Sequence, residues 1–257
     1  MNTDRSNVSR RSFVKFAGLV STGIASAVSA PAASQVLNRD ESGASLVAQR
    51  EQPSLSPLPA EYREYMFFTP KEAKFMEAAV DRLIPSDELG AGALEVGAVF
   101  FIDRQLNSIY GLGNKMYLEG PFAQGEPTQG YQLPLRPREI YCLGIADVDR
   151  YCQENYRSKS FAELSEGDRD KVLTGLEAGE ITLDRVPAQI FFPQLLQNTM
   201  EGYFCDPIHG GNRNMASWKM LGFPGAKADF RDDLGKSEPV IYEPISLAQI
   251  VDRPGIQ

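Results

Sequence analysis

The sequence predicts a mainly α-helical protein, a single irregular helical domain with long Gly/Pro-rich loops. Three observations predict it. Apolar residues recur at i, i+3, i+4 and i+7 in several stretches, most of them opened or closed by a recognisable cap. No run alternates apolar and polar residues as a half-buried strand would. The long intervals between the periodic stretches are dense in Gly and Pro, which interrupt regular structure. At 257 residues, 42% hydrophobic and 23% charged, the chain suffices for one sizeable domain plus tails.

Taken in order, the chain opens with Ser9-Arg10-Arg11-Ser12-Phe13-Val14-Lys15. A charge-free stretch from Phe16 to Asn38 follows, rich in Ala, Ser and Gly and only modestly hydrophobic. Arg10, Arg11, Phe13 and Lys15 in this setting are the layout of a twin-arginine export signal. Cleavage after Ala25-Ser26-Ala27 or after Ala30-Pro31-Ala32 fits equally, and retention as an uncleaved anchor is a further alternative. Twin-arginine export carries proteins already folded, often with a cofactor or a partner bound, so the signal points beyond this chain. Residues 1–33 are assigned to the signal and 34–66 to a polar, proline-dotted extended linker (Pro53, Pro57, Pro59). The helical domain is expected over 67–225 and a C-terminal tail over 226–257.

The first helix starts at Thr69-Pro70-Lys71-Glu72. Thr69 can cap it, Pro70 suits the first helical position, and Glu72 completes a capping box. Met76, Ala79, Val80 and Leu83 form its apolar stripe, and Pro85 ends it. A second helix is expected from Ala93 to Tyr110, with Ala98, Ile102, Leu106 and Ile109 inward and Asp103, Arg104 and Asn107 outward, stopped by Gly111 and Gly113. Residues 111–136 are a long excursion containing Tyr117, Phe122 and Tyr131, and a loop of that length in a compact domain is usually functional or docked on something. Pro137 opens a third helix to Asn155, with Tyr141, Ile145, Val148 and Cys152 inward and Glu139, Asp147 and Arg150 outward. Short helices follow at Ser160–Glu163 and, capped by Ser165, through Val172, Leu173 and Leu176. Another runs from Pro187 to about Met200, with Ile190, Phe191, Leu195 and Thr199 inward and a kink or break at Pro193. The tail is charged and proline-broken, with at most a short helix near Ser246–Val251.

Between them lies Gly202 to Gly225, which holds the only histidine, His209, and the only tryptophan, Trp218. Asp206-Pro207 reads as a turn start, because proline fixes its own φ and keeps the preceding residue out of the helical region. Gly210-Gly211-Asn212 can supply the positive φ of a tight reversal. A short helix fits Asn214 to Leu221, with Gly222 as its stop and Pro224 forbidding continuation. Tyr203, Phe204 and Trp218 make the segment either a plug over the domain's own core or a docking surface.

Several function classes are disfavoured. The net charge is −8 and the pI about 4.9, with no Lys/Arg cluster beyond the N-terminus, which argues against nucleic acid. Loss of residues 1–33 leaves 22 Lys/Arg against 33 Asp/Glu, a still more acidic chain. Beyond those residues no apolar run is long enough for a membrane span. Cys142 and Cys152, ten residues apart on one helix, are separated by about 15 Å of rise and cannot bridge. Free buried thiols are the simplest reading of the three cysteines. One histidine builds no typical zinc site, and no C-x-x-C-H haem motif is present. His209 lacks the G-x-S-x-G elbow of a serine hydrolase, and Gly210-Gly211-Asn212 lacks the spacing of a phosphate cradle. Glu166 and Asp170 are an ordinary acidic helix face, Asp103-Arg104 reads as a solvated or ion-paired face, and Asp81-Arg82 suits a structural tie. No catalytic, cofactor-binding or metal-binding residue is assigned.

From about Phe68 to Gly225 the chain resembles the small (third, or gamma) subunit of membrane-associated gluconate 2-dehydrogenase complexes and their relatives. The resemblance rests on Thr69-Pro70-x-Glu72, Asp81-Arg82-Leu83-Ile84-Pro85, Gly92-Ala93, Phe101-Ile102-Asp103 and Gln132-x-Pro134. Most specific are Gly202-Tyr203-Phe204-x-Asp206-Pro207-x-x-Gly210-Gly211-Asn212, then Trp218 and Gly222-Phe223-Pro224-Gly225. His209, where an aromatic is expected, and Ala216-Ser217, where a glycine is usual, depart from the pattern. The resemblance implies a complex with a FAD-containing large flavoprotein that oxidises the sugar acid and a multihaem cytochrome c that passes electrons to quinone. It implies no cofactor in this chain, which would bind the flavoprotein and carry it through the twin-arginine translocase to the periplasm. Related complexes acting on fructose, sorbitol, glucose or 2-ketogluconate, and a stand-alone periplasmic protein, are the alternatives.

Overall fold

Seven α-helices and five short 3₁₀ turns organise residues 64–251, except 124 and 239, which are the residues described by the computed structural model. The helices are α1 (Pro70–Leu83), α2 (Ala98–Leu106), α3 (Pro137–Asn155), α4 (Glu166–Glu177), α5 (Ala188–Phe204), α6 (Ala216–Leu221) and α7 (Leu247–Val251). Among the described residues no β-strand forms, and pairing is limited to the isolated bridges Asp87–Gly90 and Gly225–Ile245. The mainly helical class expected from periodicity is the one observed.

Helix α5 is the centre of the packing, against α1, α2, α3, α4 and α6. It is apolar on most of its circumference because every neighbour takes a share: Phe191, Phe192, Leu195 and Tyr203 are all buried. Phe75 and Phe161 meet at 4.7 Å between ring centroids, and Tyr141 meets Phe191 edge-on at 6.0 Å. Buried Asn198 donates to the hydroxyls of Tyr141 (3.0 Å) and Tyr110 (3.2 Å), a polar tie between α3, α5 and the chain after α2.

Helix α1 has the expected cap. Thr69 Oγ1 accepts the Glu72 N–H, and the Glu72 carboxylate accepts the Thr69 N–H at 2.9 Å. Helix α3 spans the expected residues and buries Tyr141, Ile145, Val148 and Cys152. Helix α4 is capped by Ser165 as expected.

Several expectations are corrected. Helix α2 begins at Ala98 rather than Ala93, because Gly97 takes a left-handed φ of 83° as its N-cap. It ends at Leu106 rather than Tyr110, so Ile109, expected inward, is 55% exposed. Helix α5 runs unbroken through Pro193 to Phe204. Pro193 and Gln189 both lie on the exposed face, where water can take up the carbonyl that loses its helical donor. Ile190 is only half-buried. Helix α6 starts at Ala216, not Asn214, because Asn214 and Met215 have φ of 59° and 55°.

Two carboxylates expected to face solvent are inside. Asp103 is 1% exposed and accepts the backbone N–H groups of Met66 (2.7 Å), Phe67 (2.9 Å) and Phe68 (2.9 Å). A carboxylate with three donors has replaced its hydration shell, which is how a buried acid is tolerated. Asp147 is likewise 1% exposed and accepts the Arg185 N–H at 2.8 Å, the Arg185 side chain and Arg150. Arg82 forms a fork with Asp170 (2.8 and 2.9 Å) and reaches Glu166 at 3.1 Å, so the acidic face of α4 ties α1 in place.

Candidate functional site

The segment Gly202–Gly225 begins inside the last turn of α5. The final carbonyls of a helix lack intrahelical donors and need partners from elsewhere. Here the motif's own side chains provide them. The Trp218 indole N–H donates to Phe204 O at 2.8 Å, and Asn212 Nδ2 donates to Cys205 O at 2.9 Å. Asn212 Oδ1 then accepts both the N–H (3.0 Å) and the hydroxyl (2.7 Å) of Ser217, fixing the start of α6. Asn212 has no exposed surface and a φ of 45°, a left-handed conformation that asparagine tolerates better than most residues. At Gly211 a Cβ would sit 2.0 Å from Gly202 O and 2.9 Å from Cys205 Sγ, so only glycine fits.

Asp206 starts the turn predicted for it and accepts the Ile208 N–H at 3.0 Å, with Pro207 as the first residue of the 3₁₀ turn that follows. Gly210 closes that turn at φ 100°. The same carboxylate accepts the Ser246 hydroxyl at 2.6 Å and the Leu247 N–H at 2.8 Å, capping α7 and holding the tail. Partial burial raises the Asp206 carboxyl, but donors from Ser246, Leu247 and Ile208, with His209 nearby, outweigh it and hold it below the usual carboxylate range. Tyr203 is buried and donates its hydroxyl to Ala91 O at 3.0 Å, and Phe204 meets its ring edge-on at 4.8 Å. Phe223 packs edge-on against Trp218 at 5.2 Å. Arg213 N–H donates to Val96 O at 3.0 Å, joining the segment to the turn before α2.

Of the motif residues singled out in the sequence, Tyr203, Phe204, Asp206, Pro207, Gly210, Gly211, Asn212 and Trp218 therefore meet in one assembly. Its polar groups are directed at the domain's own backbone. His209 is exposed at the end of its turn. The export residues Arg10, Arg11, Phe13 and Lys15 lie outside the described residues. Ser217 and Ser246 were not anticipated. Ser246 had a legible signal, a capping box with Gln249, whose side chain accepts the Ser246 N–H at 2.9 Å. Ser217 had none.

Cys142, Cys152 and Cys205 are free. Burial pushes their thiols up, to about 11, 12 and 11, so they are protonated and poorly nucleophilic near neutrality. Among the described residues no group of three or more His, Cys, Asp and Glu is placed to hold a metal ion. An open groove of about 780 Å³ lies along α1, lined by both signs of charge (Lys71, Lys74, Glu77, Asp81), and no residue of Gly202–Gly225 lines it.

A family model described as gluconate 2-dehydrogenase subunit 3 matches residues 70–225, more than half of the chain. The chain belongs to the gluconate 2-dehydrogenase subunit 3 family. The match opens on the first helical residue of α1 and closes on the last glycine of the motif. In this subunit 3 domain the helical core and the α5-capping motif are thus one family unit. Comparison with curated proteins and with solved structures gave no match.

Proposed function

We propose that the chain is the non-catalytic small subunit of a membrane-associated gluconate 2-dehydrogenase complex containing a flavoprotein and a cytochrome c. Such a complex oxidises D-gluconate to 2-dehydro-D-gluconate and passes the electrons to quinone. In this reading the chain binds the flavoprotein, which carries FAD, and escorts it through twin-arginine export. The assembly then rests at the periplasmic face of the inner membrane with its haem c subunit. The observation that carries the reading is the subunit 3 match over residues 70–225, on a chain whose start reads Ser9-Arg10-Arg11-Ser12-Phe13-Val14-Lys15.

The arrangement of buried charge agrees with a structural role for this chain. Asp103, Asp147 and Asp149 are spent on backbone N–H groups and on Lys or Arg side chains. No helix among the described residues is long and apolar enough to cross a membrane, so attachment of this domain would come through partners or the leader. The same role in a fructose, sorbitol, glucose or 2-ketogluconate complex is the alternative, because substrate contacts would lie in the large subunit.

Arg10→Lys combined with Arg11→Lys tests the escort. The expected result is flavoprotein retained in the cytoplasm when the two chains are co-expressed, measured by fractionation and flavin content. Flavoprotein reaching the periplasm unaided would sink the idea.

A further inference from the structure

Beyond Gly225, where the family match closes, the chain is tied chiefly to itself. Lys227 Nζ lies 3.7 Å from the centre of the Tyr242 ring and 4.7 Å from that of Phe230, and it pairs with Asp233 at 2.9 Å. Asp233 also accepts the Tyr242 hydroxyl and pairs with Lys236 at 2.7 Å. A cation held over two rings with a carboxylate beside it is a satisfied cluster that asks nothing of the rest of the molecule. The Ala226 N–H donates to Ile245 O at 2.7 Å, so the two ends of this loop meet.

Its attachment to the domain is narrow. Among the described residues of 226–251 only Pro244 and Ser246 are buried, and the ion pairs formed there join one tail residue to another. Ile245 N–H donates to Pro224 O at 3.2 Å. The Ser246 hydroxyl (2.6 Å) and the Leu247 N–H (2.8 Å) both donate to Asp206, one to each carboxylate oxygen. A segment with few buried residues, fixed by a handful of polar contacts, opens at a lower free energy than a core helix such as α5.

The junction suits a hinge. Gly222 and Gly225 both have φ of 70°, on either side of Phe223 and Pro224. A Cβ at Gly222 would meet nothing within 4 Å, so the chain has room to turn there. A Cβ at Gly225 would run into the Ile245 backbone and lie 2.8 Å from the Trp218 ring. Gly225 therefore marks where the returning chain is laid against the motif, and only glycine permits the approach.

We propose that residues 226–251 are a hinged strap that closes over the Gly202–Gly225 motif, latches on Asp206, and opens as a unit while the helical core stays folded. Closed, the strap fills both oxygens of Asp206. Open, it returns that carboxylate to solvent and uncovers the Gly225 side of the motif. The strap stands or falls independently of the small-subunit reading. The test is hydrogen exchange of the full chain, followed at single amides. Relative to their unprotected rates, Ala226, Ile245 and Leu247 should share one opening and exchange about a hundredfold or more faster than Asn198 and Thr199 of α5. Leu195→Ala leaves a cavity in the core and should speed exchange at Asn198 and Thr199 by about thirtyfold, with the three strap amides at wild-type rates. Ile140→Val, a milder core change, makes the same separation if the alanine variant does not fold. Ser246→Ala with Leu247→Pro removes both latch donors, and proline suits the first position of α7. Exchange at Ala226 and Ile245 should then rise by about tenfold, as loss of two charge-assisted bonds does. Strap amides that accelerate together with α5 in the core variants overturn the proposal, because strap and core are then one cooperative unit. Strap amides at unprotected rates in the wild type overturn the closed state. Wild-type rates at Ala226 and Ile245 in the latch variant overturn Asp206 as the latch.

Discussion

Asn212 makes three hydrogen bonds from a position with no solvent exposure, and each serves a different part of the motif. One ends α5, one sets the Ser217 N–H at the start of α6, and one occupies the Ser217 hydroxyl. Alanine would take this partner from the Cys205 carbonyl and from the buried Ser217 N–H and hydroxyl. The expected cost of Asn212→Ala is about 2–4 kcal/mol, since each buried polar group left unpaired costs about 1–3 kcal/mol and some relaxation follows. In thermal unfolding that is a fall of roughly 5–15 °C. A midpoint within a degree or so of wild type would mean that the carbonyl and Ser217 find other partners and that Asn212 is dispensable.

At the scale of elements, the caps were the most legible part of the sequence. Thr69, Pro70, Ser165 and Pro137 mark helix starts by local chemistry alone, and α1, α3 and α4 begin where they indicate. What local chemistry did not convey is which acids turn inward. Asp103 sits one residue after buried Ile102, and nothing in its neighbourhood says that the N–H groups it accepts come from Met66 to Phe68, over 30 positions earlier. That contact clips the start of the domain onto α2, assisted by the stacking of Tyr65 on Phe100 at 4.8 Å. Asp103→Asn exchanges one carboxylate oxygen for an NH₂ that faces a backbone donor. The expected cost is about 2–4 kcal/mol, from one lost charge-assisted bond and one unpaired N–H. Amide exchange at Met66, Phe67 and Phe68 should accelerate far more than at α5. Uniform acceleration through the core would show Asp103 to be a global rather than a local clip.

Across the whole molecule, the turns of Gly202–Gly225 were legible from its Gly, Asp and Pro residues, whereas its aromatics read equally as a core plug or a docking surface. The direction in which its polar groups point was not legible, because that depends on which carbonyls α5 leaves open once it has run on past Met200. Nor did the tail's charged, proline-broken sequence foretell that it returns to the motif through Ile245 N–H to Pro224 O at 3.2 Å and through Ser246 and Leu247 to Asp206. This return makes the hold on the tail sensitive to acid. A carboxyl held below its ordinary value in the folded state contributes stability above the unfolded value, about 3.9 for aspartate, and loses it as pH falls through the folded one. Ser246→Ala removes the hydroxyl donor and the cap of α7, so the variant should be less stable than wild type near neutrality. As pH falls past the ordinary aspartate value and through the lower folded one, the Asp206 carboxylate takes up its proton, and the gap in thermal midpoint should narrow. A gap that stays constant down to full acid unfolding would place the contribution of Ser246 in helix capping alone and leave Asp206 without a part in holding the tail.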